Sequence, residues 1–467
     1  FLMRNLLQFS GQFFILLLIS LIFSQCVKEE GDLNIKPLFE NPTNYSNEIA
    51  LSWNAQMQDL ERYTPGYKSP IAARTLAYTN LAAYESIVQA MPNEFNSIAD
   101  KYLQILMPKI QPKESYFWPV VMNSAYKFSI QHYYKTAPIE QQLQVIQLYD
   151  KLHKEYSAQI DPSIIARSIE FGQSIASTIY EWSKTDVVGS EAYRNITDPN
   201  YVLPLGEGFY KPTYPDFSAP ILPNWGNVRN FVSKGASLDI PAPFEYSTDP
   251  QSPMYKQAKY VRDLTESIRD NKQSEEYWMA EFWSDDFSTV TFTPAGRWAA
   301  IAGQVIKQEN SNMADAAMIY AKVSIALCDA GIGAWQNKYK YNVLRPVDYI
   351  RENIDANWNT ILTPDLLGKY YTPQDPSYPS EHATYGAATA GVLAEIFGDQ
   401  YTLTDRCHEG RLEFRSDPRT FYSFSSMAKE VAYSRMPLGV HLQEDGDAGL
   451  LLGAQIAVEV NKMQFKK

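Results

Sequence analysis

The sequence predicts an all-α fold, a helical bundle interrupted by one Pro- and aromatic-rich irregular excursion. Three observations carry this. The run 71–91 (IAARTLAYTNLAAYESIVQAM) keeps apolar residues at helical spacing and contains no glycine. Four further runs, 141–157, 164–183, 298–310 and 314–335, read the same way. The stretch 199–253 holds ten of the chain's 28 prolines, with Trp225-Gly226 in its middle, so it cannot be a long helix. Its aromatic content argues for an ordered excursion that wraps the bundle and frames a pocket mouth, rather than a disordered linker.

In chain order, the first segment is a targeting signal. Arg4 precedes an apolar run at 13–23, then Ser24-Gln25-Cys26. That run is short of the roughly 20 residues a membrane span needs, and it fits a signal-peptide core over 1–25. Cys26, followed by Val-Lys-Glu-Glu-Gly-Asp, resembles the lipidated cysteine of a bacterial lipoprotein, although Gln25 departs from the usual small residue. The expectation is export to the bacterial periplasm or cell surface, with a lipid anchor at Cys26; a retained N-terminal anchor is the alternative. The body, 27–298 and 299–467, is long enough for one large domain or two lobes. It shows no internal repeat and no series of long apolar spans, which argues against a body that crosses a membrane several times. A net charge of −12 argues against a nucleic-acid partner. Cys328 and Cys407 can pair in an oxidising compartment, but the apolar helical setting of Cys328 favours a buried thiol.

The chemistry is concentrated near the C-terminus, in KYKYNVLRP, PSEHATYG and SRMPLGVHLQED. Lys338 and Arg345 are seven residues apart, about two turns and 10 Å along one face if the segment is helical. Pro346 disfavours helix at Arg345, which leaves its planar fork free to hold two oxygens. Ser380 is an N-cap candidate for the Ala-rich run after it, and a helix N-terminus attracts anions. His382 falls in that first turn. Asp445 follows His441 by four residues, about one turn, so it can accept from the imidazole and fix its tautomer. Taken singly, each stretch also fits ordinary structure: a solvated basic face, a capped helix, a surface ion pair. Of five histidines, two fall in these motifs.

In this order, Lys-x6-Arg-Pro, Pro-Ser-x-His and Ser-Arg-x5-His-x3-Asp resemble the type 2 phosphatidic acid phosphatase and vanadium-dependent haloperoxidase superfamily. The resemblance implies that 299–467 is the catalytic core of a bundle of that type. It implies cationic positions Lys338, Arg345 and Arg435 around the oxygens of vanadate or phosphate, with the Ser380 hydroxyl bonded to the same oxyanion. It makes His441 the residue that bonds vanadium, or attacks phosphorus. It makes His382 the general acid/base and Asp445 the partner of His441. Glu381 stands where the family has glycine; its backbone N–H can still serve the oxyanion, while its carboxylate is unfavourable there unless it points away or meets a cation.

Trp335, Tyr378, the Ser-Arg-x-x-Leu-Gly-Val-His form, and the blocks 282–286 and 293–298 are similar to the soluble bacterial haloperoxidase-like branch. By that match Asp286 partners Arg435. Asp375 falls where some chloroperoxidases carry an apolar aromatic, and a carboxylate beside a halide would repel it. The favoured expectation is a haloperoxidase that takes hydrogen peroxide and halide, with vanadate as cofactor on His441. The alternative is a periplasmic or surface acid phosphatase that cleaves a phosphomonoester through a phosphohistidine at His441. A non-catalytic anion-binding lipoprotein is the third class.

Overall fold

A computed structural model describes residues 40–467 apart from 159, 233–237, 286–288 and 362–371. The leader, Cys26 and Asp286 therefore lie outside the described residues. The helices are α1 (Glu48–Tyr63), α2 (Ser69–Val88), α3 (Ile98–Lys101), α4 (Trp118–Tyr133), α5 (Ile139–Ser157), α6 (Pro162–Lys184), α7 (Pro253–Arg269), α8 (Glu275–Phe282), α9 (Pro294–Gln308), α10 (Met313–Tyr341), α11 (Pro346–Asn353), α12 (Glu381–Phe397), α13 (Phe424–Ser434) and α14 (Gln443–Asn461). One antiparallel hairpin, β1 (Leu403–Asp405) with β2 (Arg419–Phe421), and three short 3-10 turns at Pro42–Asn44, Ala192–Arg194 and Trp225–Asn227 complete the regular structure among the described residues. Residues 41–111 and 116–467 form one compact unit.

The helices begin where local chemistry favours it. Asp161, Thr293 and Asn312 accept from the backbone N–H of Ser163, Gly296 and Asp315 and cap α6, α9 and α10. Proline occupies the first turn of α2, α6 and α9, where its missing N–H costs nothing. Helix α10 is long and apolar enough to cross a membrane, yet its apolar window is wholly buried, with α2, α9, α12 and α14 packed around it. Cys328 is buried on this helix, and both it and Cys407 are free thiols.

One helix differs from the sequence expectation. α10 stops at Tyr341, so Lys338 and Arg345 do not share a helical face. Asn342 adopts a left-handed conformation (φ 48°), and its N–H donates to the Lys338 carbonyl at 2.8 Å. That closure ends the helix, and Arg345 becomes the N-cap residue of α11.

The 199–253 excursion is tied down by its backbone. Phe231 and Val232 N–H donate to the two oxygens of buried Asp329 on α10, at 2.7 and 2.9 Å. Tyr210 N–H donates to Asn342, Ile221 N–H to the Gln374 carbonyl and Phe244 N–H to Glu444, at 2.6, 2.9 and 2.8 Å. These partners flank all three motifs, so the excursion reaches the chain segments that carry them.

α14 lies against α12 at backbone distance. A Cβ on Gly449 would stand 2.5 Å from the Ser380 carbonyl, and one on Gly453 would stand 2.3 Å from that of Thr384. Neither carbonyl can yield without moving the start of α12. Gly449→Val should therefore cost at least about 1–3 kcal/mol of stability, measured by urea unfolding, and should weaken oxyanion binding in the same protein.

A second buried ionic cluster surrounds Arg297. Arg297, fully buried on α9, donates to Asp405 at 2.9 Å and to His408, and lies 3.8 Å from Asp285. Burial, followed by the Arg297 charge, lowers His408 to about 3. The unfolded chain takes up this proton below its ordinary value near 6.5, while the native state refuses it until about 3. Stability from His408 is thus present above pH 6.5 and lost as pH falls, by about 1.4 kcal/mol per pH unit. His408→Gln should flatten the stability–pH curve by that slope between pH 6 and 5, read from urea unfolding at each pH.

Candidate active site

Each motif delivers its residues from a helix end. Lys338 sits in the last turn of α10 and Arg345 opens α11. Ser380 is the N-cap of α12, with its oxygen accepting from Ala383 N–H, and Glu381 and His382 form the first turn. Arg435 follows the last residue of α13. His441 stands two residues before α14, whose N-cap is Leu442 and whose third residue is Asp445. Gly439 turns the chain between Arg435 and His441 at φ 84°, a conformation that L side chains rarely adopt.

All eight residues proposed from the sequence fall in one buried cluster, and none is more than 9% exposed. His441 Nδ1 is 3.0 Å from Asp445 Oδ2, and its Nε2 is 3.3 Å from an Arg345 nitrogen. The pair spans a helix entry rather than a turn within one helix. Asp445 Oδ2 also accepts from Leu442 N–H at 2.9 Å and Ser377 Oγ at 2.6 Å, and the Asp445 carbonyl accepts from Ser380 N–H at 2.8 Å. Arg345 further donates to the Val440 carbonyl at 3.0 Å, and Arg435 donates to the Trp283 carbonyl at 2.7 Å. Trp283 belongs to the 282–286 block and stacks on Trp298 with ring centres 6.0 Å apart.

Asp375 is the main departure from expectation. Its Oδ1 lies 2.8 Å from both Lys338 Nζ and Arg345, so it is paired with cations rather than open to a passing halide. Burial works to raise this carboxyl, but Lys338 and then Arg345 overcome it and hold it below the ordinary range. Burial likewise opposes the Lys338 ammonium, while Asp375 and, more weakly, Glu381 favour it.

Both site histidines are held neutral. Burial lowers His441 well below 6.5, with Arg345, Lys338 and Arg435 adding to it. Burial and then Arg435, His441, Lys338 and Arg345 do the same to His382. His382 Nε2 is buried without a hydrogen-bond partner among the described residues. Burial raises Asp445, against which Ser377 and the Leu442 N–H act. Neutral imidazoles among three cations suit a bound tetrahedral oxyanion: one nitrogen can ligate, the other can exchange a proton, and the cations can meet the remaining oxygens. No cluster of three His, Cys, Asp or Glu suited to a metal cation occurs among the described residues.

The sequence reading does not single out Ser377. Its one signal is a hydroxyl three residues before Ser380, in a Pro-containing loop without periodicity. Ser377→Ala should remove about 1–3 kcal/mol by leaving Asp445 short of a donor. It should also weaken oxyanion affinity about 10–100-fold by loosening His441; chemical denaturation and calorimetric titration with vanadate measure the two effects.

The chain is similar to several known proteins. Residues 318–466 match the family model of the vanadium chloroperoxidase second helical-bundle domain. The vanadium chloroperoxidase of Curvularia inaequalis is 24% identical over 425 residues, covering 77% of this chain and 67% of that protein. The vanadium-dependent bromoperoxidase of Ascophyllum nodosum is 38% identical over 96 residues, 19% of this chain and 17% of that protein. The crystal structure of a bacterial vanadium-dependent iodoperoxidase superposes with a TM-score of 0.79 at 27% identity, covering 92% of this chain and 98% of the other. Together these similarities support the vanadium haloperoxidase superfamily for this chain.

Proposed function

We propose that the chain is a vanadate-dependent haloperoxidase, oxidising halide with hydrogen peroxide at a vanadate held by His441. The observation that carries this reading is the His441 imidazole. It is neutral, held through Nδ1 by Asp445, and directs Nε2 toward Arg345 in a pocket with three buried cations. The donor set fits vanadate. Lys338, Arg345 and Arg435 would balance its oxygens, the Ser380 hydroxyl and the backbone N–H groups of the first turn of α12 would donate to them, and His441 would ligate. Bound vanadate supplies a Lewis-acidic centre that activates hydrogen peroxide toward attack by halide. His382, buried with Nε2 unpartnered, is the group that takes and returns protons. Trp335, buried beneath Lys338 with 5.7 Å from ring centre to Nζ, helps fix the ammonium.

One observation favours a second reading. A carboxylate on Nδ1 also makes Nε2 a nucleophile, which is the arrangement required for phosphoryl transfer through a phosphohistidine. One experiment separates the two. Vanadate-loaded protein is assayed for peroxide consumption with iodide, bromide and chloride, beside hydrolysis of a phosphomonoester by the vanadate-free protein. Halide-dependent, vanadium-dependent consumption is expected, and His441→Ala should lose it by at least about a thousandfold, together with vanadate binding. Strong hydrolysis that vanadate only inhibits, with no halide oxidised, favours the phosphatase.

A further inference from the structure

The Asp375 carboxylate stands where the proposed oxyanion needs its cations. One oxygen bridges Lys338 and Arg345 at 2.8 Å to each. Neither cation needs that carboxylate to stay in place. Lys338 also donates to the Pro376 and Ser377 carbonyls, at 2.6 and 3.4 Å. Arg345 also donates to the Asp375 and Val440 carbonyls, at 2.8 and 3.0 Å. The loop backbone can therefore hold both cations while the Asp375 side chain turns away.

A bound oxyanion and the carboxylate cannot both keep the bridge, because two anions at contact distance in a buried site repel strongly. The Tyr210 hydroxyl is buried and has no hydrogen-bond partner among the described residues. After burial, the Asp375 carboxylate is the strongest influence on that phenol, pushing it above its ordinary range. The excursion delivers Tyr210, pinned by its N–H to the Asn342 carbonyl at 2.6 Å.

We propose that Asp375 is an internal stand-in for the oxyanion: it occupies the Lys338–Arg345 bridge in the empty site and swings to the Tyr210 hydroxyl when vanadate or phosphate enters. It sets the affinity of the cradle, lowering it for every tetrahedral oxyanion, so that loading requires an exchange of anions. The inference rests on the oxyanion-site reading above.

The test is calorimetric titration of the vanadate-free protein with orthovanadate and with inorganic phosphate, together with thermal unfolding. Asp375→Asn keeps the shape and removes the charge. It is expected to bind both anions at least about tenfold more tightly than wild type. It should melt below wild type without anion, since two buried cations lose their partner, and should gain more from vanadate than wild type gains. Tyr210→Phe leaves every cradle charge intact and should bind vanadate several-fold more weakly. If wild type binds vanadate and Asp375→Asn binds no tighter, the inference is overturned while the site stands. Tyr210→Phe binding as wild type overturns the exchange as well. If neither wild type nor Asp375→Asn binds either anion, the site reading falls and takes the inference with it.

Discussion

Asp445 joins the motifs into one site. Its carboxylate accepts from His441, Ser377 and the Leu442 N–H, and its carbonyl accepts from Ser380 N–H. One residue thus fixes the imidazole, caps the start of α14 and sets the entry of α12. The fold serves this convergence. α14 can bring Asp445 to Ser380 only because Gly449 and Gly453 let its backbone lie against the Ser380 and Thr384 carbonyls. A side chain at either position would separate the second motif from the third. The packing of two helices and the geometry of a histidine are therefore one constraint.

Burying three cations is unfavourable unless their charges and donors are met. Lys338 and Arg345 are met twice over, by one carboxylate and by main-chain carbonyls, and Arg435 by a main-chain carbonyl. Lys338 and Arg345 share Asp375 and also reach carbonyls in the 375–377 loop and at Val440. Arg435 reaches the Trp283 carbonyl, and Trp283 is itself locked by Trp298. Carbonyls are weaker partners than carboxylates, but they do not repel an incoming anion as a full charge does. A cradle built largely on carbonyls can hold its cations rigid and still leave them positive. The same logic governs the Arg297 cluster, except that its guanidinium is met by Asp405 and Asp285 carboxylates and is closed off.

Much of this was legible in the chain. Helix runs were readable because α2, α5, α6, α9 and α10 carry apolar residues at regular spacing. The capping role of Ser380 followed from its place before an alanine-rich run. Proline density marked the excursion, and aromatic content marked it as ordered. What failed was inference that assumed regular helix across a helix end. Lys338 and Arg345 were expected on one face, but Asn342 takes a left-handed turn between them. Asp375 was legible as an oddity but not as a bridge, because its partners lie 30 and 37 residues away in sequence and no local spacing encodes that pairing. Ser377 was invisible for the same reason.

Burial first, and then the neighbouring cations, keep the two histidines neutral. An imidazole in an apolar core is neutral because water is absent. Here Arg345, Lys338 and Arg435 further disfavour a proton on His441, and Arg435 leads the charges that do so on His382. An anion that brings more negative charge into the cradle than the displaced Asp375 carboxylate takes out offsets those charges and makes protonation of His382 easier. His382 would thus become a better base as its site fills. Proton affinity and oxyanion occupancy are coupled through the same three side chains, and the coupling needs no movement of the backbone.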